Sequence, residues 1–176
     1  MICSSKAQEF VQNDERFEIV PDAIINSSII ITKKDNPQTI GVSQNRKFEV
    51  DMVKDTFGEE CEIKEISTRV LPYALEKGEV DGIVLDYIKS LEIEGKRVFM
   101  KEDKNYNTFS LVIKKSIKDN IEYKKFIKAF NKVREEIMEP DAFIEIISRE
   151  RNKNYLDDRR RYEWQMLRLQ ITPLEE

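Results

Sequence analysis

The sequence predicts an α/β protein built on a largely parallel, helix-covered sheet. Three observations carry that prediction. Short β-branched runs alternate with helical segments through the middle of the chain. Within those helical segments the apolar residues recur on one face. Only five Gly and five Pro occur in 176 residues, too few for a linker-rich or low-complexity chain.

Ile2-Cys3 reads as the end of a strand. Ser4 or Ser5 can cap a helix over Lys6–Gln12, with Ala7, Phe10 and Val11 turned inward. Phe17–Val20 reads as a short strand closed by Pro21, and Ser28–Lys33 as a β-branched strand before the turn Asp35-Asn36-Pro37. A β-α-β unit follows. Thr39–Val42 is its buried strand and Ser43-Gln44-Asn45 its turn. Phe48, Met52, Val53, Thr56 and Phe57 share one face of its helix, and Gly58 stops it.

Glu62–Ile66 is the next strand. Ser67-Thr68 is expected to cap a helix whose first turn tolerates Pro72, since N–H groups there lack helical partners. Lys77-Gly78 ends that helix, and Val80–Leu85 is a buried strand with Asp86 at its carboxyl end. Arg97–Met100 and Thr108–Ile113 are further strands. Asn120–Met138 is the longest helix, ended by Pro140, and a shorter helix starts at Asp141. Residues 151–176 form an Arg-rich helical tail carrying the only Trp, Trp164. Tyr162, Met166 and Leu169 are expected as its apolar stripe, docked on the domain or on a partner.

Composition narrows the function classes. Hydrophobic residues make 40% of the chain and charged residues 36%, which fits a folded, heavily solvated protein. A net charge of −4 gives no general electrostatic reason to bind nucleic acid or an anionic membrane, and Arg159-Arg160-Arg161 beside two Asp is a weak nucleic-acid footprint. The chain has no His, which removes Ser-His and Cys-His catalysis, and Cys3 and Cys61 alone cannot form a metal cluster. There is no phosphate loop, no GxGxxG, no HExxH and no GxSxG. The expectation is therefore a non-enzyme without cofactor or metal. No signal peptide or bilayer-length apolar run is visible, so a cytoplasmic location is expected, with no membrane partner.

In open α/β sheets ligands bind outside the carboxyl ends of strands, near helix N-termini. That rule selects Ser43, Gln44 and Asn45, whose N–H groups and side chains suit an anion or polar ligand, although Ser and Asn also suit plain helix capping. It selects Thr68 and Arg69, with Arg69 offering a bidentate fork to a carboxylate or phosphate, unless it is simply a solvated Arg. It selects Asp86, placed for an ammonium or hydroxyl, or as a cap for the following turn. Ser4 and Ser5 are grouped with these as candidate ligand-binding residues. The expected ligand is small and polar or anionic.

The stretch Thr39-Ile40-Gly41-Val42-Ser43, a helix, then Ser67-Thr68-Arg69-Val70-Leu71-Pro72 through Lys77-Gly78-Glu79-Val80-Asp81-Gly82-Ile83-Val84 resembles the second lobe of type 2 periplasmic binding proteins. Asn107–Lys114 and the long helix resemble the return into lobe one, and Asn26–Lys34 the end of the outgoing segment. Within that superfamily, Ser5–Phe10, Asn45-Arg46 and Ile147–Tyr155 resemble the C-terminal ligand-binding domain of YhfZ-type transcriptional regulators. The resemblance implies a two-lobed α/β domain with a ligand cleft. Lobe one (1–37 and 105–150) would be incomplete, and lobe two (38–104) a small open sheet flanked by helices. It further implies an effector-binding domain lacking its DNA-binding part, or alternatively the solute-binding component of an ABC uptake transporter without its signal peptide, with an enzyme on the same fold as the third and least favoured reading. A full domain of that kind would begin about one hundred residues earlier. The chain is thus expected to be a fragment, a truncated product or half of an assembled site, and to self-associate or bind ligand poorly, with the tail covering the exposed surface in cis or as a homodimer contact.

Overall fold

The computed structural model describes residues 1–175. The chain folds as two compact units. One comprises Met1–Ile25 with Asn107–Glu176, the other Asn26–Tyr106.

The first unit contains β1 (Ile2–Cys3), α1 (Ser4–Asn13), β2 (Phe17–Ile25), β8 (Asn107–Lys114), α5 (Ile121–Ile137), α6 (Pro140–Arg151), α7 (Asp158–Leu167) and β9 (Gln170–Ile171). Its sheet has the order β1-β8-β2-β9, antiparallel throughout. Pro21 does not end β2 as the sequence suggests. The strand runs on to Ile25 through register shifts between Val20 and Ile25, with Asp22 at φ +53°. Ala23, Leu111, Ile113, Ile127 and Leu174 form one core cluster here.

The second unit contains β3 (Ser28–Thr32), β4 (Thr39–Ser43), α2 (Lys47–Phe57), β5 (Glu62–Ile66), α3 (Leu71–Lys77), β6 (Gly82–Asp86), α4 (Tyr87–Ser90) and β7 (Lys96–Val98). Its sheet order is β5-β4-β6-β3-β7. β4 runs parallel to β5 and β6, and β3 antiparallel to β6 and β7. Here the expected boundary at residue 38 is corrected. Ser28–Thr32 is an inner strand of this second sheet and is buried at every position. An uninterrupted Ile29-Ile30-Ile31 run suits a strand covered on both faces, which this sheet supplies.

The Gly-Glu-Val-Asp-Gly stretch is legible as a splice between helix and strand. Gly78 closes α3 at φ +72°, in the left-handed region. Asp81 Oδ2 accepts from the N–H groups of Gln38 (2.8 Å) and Thr39 (3.3 Å), while its Oδ1 meets Lys34 Nζ at 2.6 Å. A Cβ on Gly82 would stand 2.6 Å from Ile40 and 2.8 Å from the Ile31 carbonyl, so only Gly lets β3, β4 and β6 lie this close.

The tail packs within the first unit, one of the two dockings expected, but with a different inner face. β9 adds to β2 through Ile24–Ile171 and Ile25–Gln170. The buried residues of α7 are Glu163, Trp164 and Leu167, not the stripe Tyr162, Met166 and Leu169. Tyr162 and Met166 are exposed. Trp164 stacks on Phe143 with ring centroids 3.9 Å apart, and this contact sets which face of α7 turns inward. The Arg run is paired: Arg159 and Arg160 with Glu163, Arg161 with Asp141 and Asp158. Pro140 does end the long helix, but it does so by standing in the first turn of α6. Among the described residues no helix is long and apolar enough to cross a membrane.

Candidate ligand site

β4, β5 and β6 deliver their carboxyl ends to one edge of the second sheet, at Ser43, Ile66 and Asp86. β3 enters at the same edge, with Ser28 opposite Asp86. From there β4 connects through α2 outward to β5, while β6 leads through α4 toward β7 on the other side. Neighbouring strands whose connections part in opposite directions make a topological switch point, where an open α/β sheet offers a crevice.

A charged cluster occupies that point. Arg46, at the N-cap of α2, reaches Glu49 Oε1 at 3.0 Å and Asp86 Oδ1 at 3.3 Å through Nη1, with its side chain only 15% exposed. Lys89 Nζ lies 2.7 Å from Asp86 Oδ2. Glu49 is wholly buried, and its Oε2 accepts the Ser43 N–H at 2.6 Å. Burial pushes the Glu49 carboxyl above the usual carboxylate range, against the Ser43 N–H and Arg46, which favour its charged form. The Ser28 and Ser43 hydroxyls are buried and have no hydrogen-bond partner among the described residues. Ser28 stands opposite Asp86 in register, so the two side chains share one face of the sheet.

The expected site residues fare unevenly. Ser43, Asn45, Thr68 and Asp86 do belong to the loops and strand ends of this one edge. The anion cradle at Ser43-Gln44-Asn45 is corrected, because its backbone donors are already engaged. Gln44 N–H donates to the Ile66 carbonyl (3.1 Å), Asn45 N–H to Glu65 Oε2 (3.2 Å) and Arg46 N–H to the Ser43 carbonyl (3.2 Å). Gln44 and Asn45 are exposed, and Asn45 takes a left-handed φ of +62°, which Asn tolerates. Neither α2 nor α3 receives a side-chain cap. α3 starts at Leu71 with Val70 as N-cap, so Ser67-Thr68 form the preceding turn instead. Thr68 is half-buried and Arg69 exposed.

Ser4 and Ser5 belong to the first unit, apart from the other candidates in sequence and in unit. Cys3, not Ser4 or Ser5, is the N-cap of α1, and it makes no side-chain cap bond. Ser4 Oγ instead donates to Asn107 Oδ1 (2.6 Å) and accepts from Ser110 Oγ (3.1 Å), tying α1 to β8.

Arg46, Glu49, Lys89 and Ser28 were not singled out from sequence. One signal was present. Phe48, Glu49, Met52 and Val53 are the buried residues of α2, and a carboxylate inside an apolar stripe asks for a partner. Arg46 stands three residues before it.

With this geometry in view, comparison with solved structures is informative. The ligand-binding component of an ABC-type import system from Staphylococcus aureus, solved with zinc, superposes with a TM-score of 0.67 over 98% of this chain at 12% identity. These neighbours are two-lobed periplasmic-binding-protein-like folds, and the likeness to this chain is one of fold. A lipoprotein of Treponema pallidum matches with a TM-score of 0.55 over 78% of this chain and 72% of its own, at 14% identity. A protein solved with bound L-arginine matches with a TM-score of 0.50 over 85% of this chain and 72% of its own, at 18% identity. The chain spans 66% of the staphylococcal protein, just under two thirds of its length. No family model and no curated protein matches the sequence. Among the described residues no group of three or more Cys, Asp or Glu is placed to hold a metal ion.

Proposed function

We propose that this chain binds a small charged solute at the carboxyl edge of its second sheet and performs no chemistry on it. The observation that carries this reading is the half-buried Arg46–Asp86 pair across the ends of the adjacent strands β4 and β6. Asp86 offers an acceptor to an ammonium or hydroxyl, and Arg46 a donor fork to a carboxylate. The chain has no His, the commonest general base, which favours binding over catalysis.

Capture of a solute for uptake is supported by the staphylococcal importer component. A second reading, the effector-binding domain of a YhfZ-type regulator acting in the cytoplasm, is supported by the likeness of Ser5–Phe10, Asn45-Arg46 and Ile147–Tyr155 to that group. Both use the same site. A thermal-shift screen with amino acids, dicarboxylates and sugars tests the shared claim. Solutes carrying charge should raise the melting temperature of the wild type and fail to do so in Arg46→Met. A screen in which only uncharged sugars stabilise the protein would remove the charged pair from the site.

A further inference from the structure

The second cation on Asp86 is placed differently from the first. Arg46 is nearly covered and is also held by the buried Glu49, so it stays where it is. Lys89 is half exposed, at 54%, and projects from the four-residue helix α4 onto the much more covered Asp86, at 13%. An ion pair of that exposure is worth little, so it is easily exchanged. Beside it, the buried Ser28 hydroxyl shares the face of Asp86 and has no partner, a polar capacity that Lys89 leaves unused.

We propose that Lys89 is a built-in occupant of the Asp86 subsite, displaced by the ammonium of an incoming solute. This rests on the reading that Asp86 and Arg46 contact the ligand. The released Lys89 is half exposed and returns to solvent. The ligand class is therefore one that carries a primary ammonium. Arg46, fixed by Glu49, stays on Asp86 through the exchange, and Lys89 sets selectivity.

The test is calorimetric titration of the full chain and its Lys89→Met and Asp86→Asn variants with L-lysine, L-methionine and succinate at low ionic strength. Lys89→Met should bind L-lysine roughly three- to fivefold more tightly, up to the value of the lost ion pair, and the gain should shrink as salt is added. Succinate, with no ammonium, should bind no more tightly to Lys89→Met than to the wild type. Weaker or unchanged L-lysine binding in Lys89→Met, with binding clearly weakened in Asp86→Asn, would overturn the displacement while leaving the site in place. L-lysine or L-methionine binding as tight in Asp86→Asn as in the wild type, or no binding of any probe to any of the three proteins, would overturn the site along with it.

Discussion

Asp81 shows how one side chain fixes the frame on which the site stands. Its carboxylate gathers the Gln38 and Thr39 N–H groups and Lys34, joining the start of β6 to the start of β4. Those contacts hold its pKa below the usual 3.8, Lys34 contributing most. A depressed folded pKa adds stability that is fully present above 3.8 and is lost as pH falls through the folded value. Asp81→Asn should therefore cost about 1–2 kcal/mol at pH 7. The gap between variant and wild type should narrow as the pH drops below 3.8, read from urea unfolding at each pH. Asp86 was legible as a candidate because it ends a buried strand. Arg46 was not singled out, because a lone Arg in a turn looks solvated until its fold-back onto Glu49 is seen. The donors of Gln44 and Asn45 could not be judged from sequence either. Their acceptors, the Ile66 carbonyl and Glu65, come from a strand some twenty residues on.

At the scale of elements, strands and helices with strong local periodicity were read nearly to the residue. Glu62–Ile66 coincides with β5, and the long helix lies within a residue of its expected ends. α7 was read with the wrong inner face, because its sequence carries little periodicity and its orientation is set by Phe143 of a different helix. Tertiary contact decides such a helix. Trp164→Ala removes that stack and leaves a cavity beneath α7. It should cost about 3–5 kcal/mol, measured by denaturant unfolding. A loss below about 1 kcal/mol would mean that α7 is not held by this contact.

For the whole molecule, the sequence resemblance gave the fold class, while the partition between units had to come from strand pairing. Ser28–Thr32 belongs with β6 and β7, a fact carried by pairing with residues fifty or more positions away. Each unit has its own sheet and buried residues, so the two should open separately. Hydrogen exchange on Trp164→Ala should lose protection in β2, β8 and β9 and keep it in β3, β4 and β6. Loss in both sets together would show one cooperative unit. The residues of the proposed site, Arg46, Asp86 and Lys89, all belong to the second unit, so the same variant should leave ligand affinity unchanged. The claim that the Arg46–Asp86 edge is the binding site is tested most directly by titrating wild type and Asp86→Asn, side by side, with the best solute from the screen. Removing one partner of a charge-assisted contact should cost about 1.5–3 kcal/mol, roughly ten- to a hundredfold in affinity. Equal dissociation constants for the two proteins would contradict it.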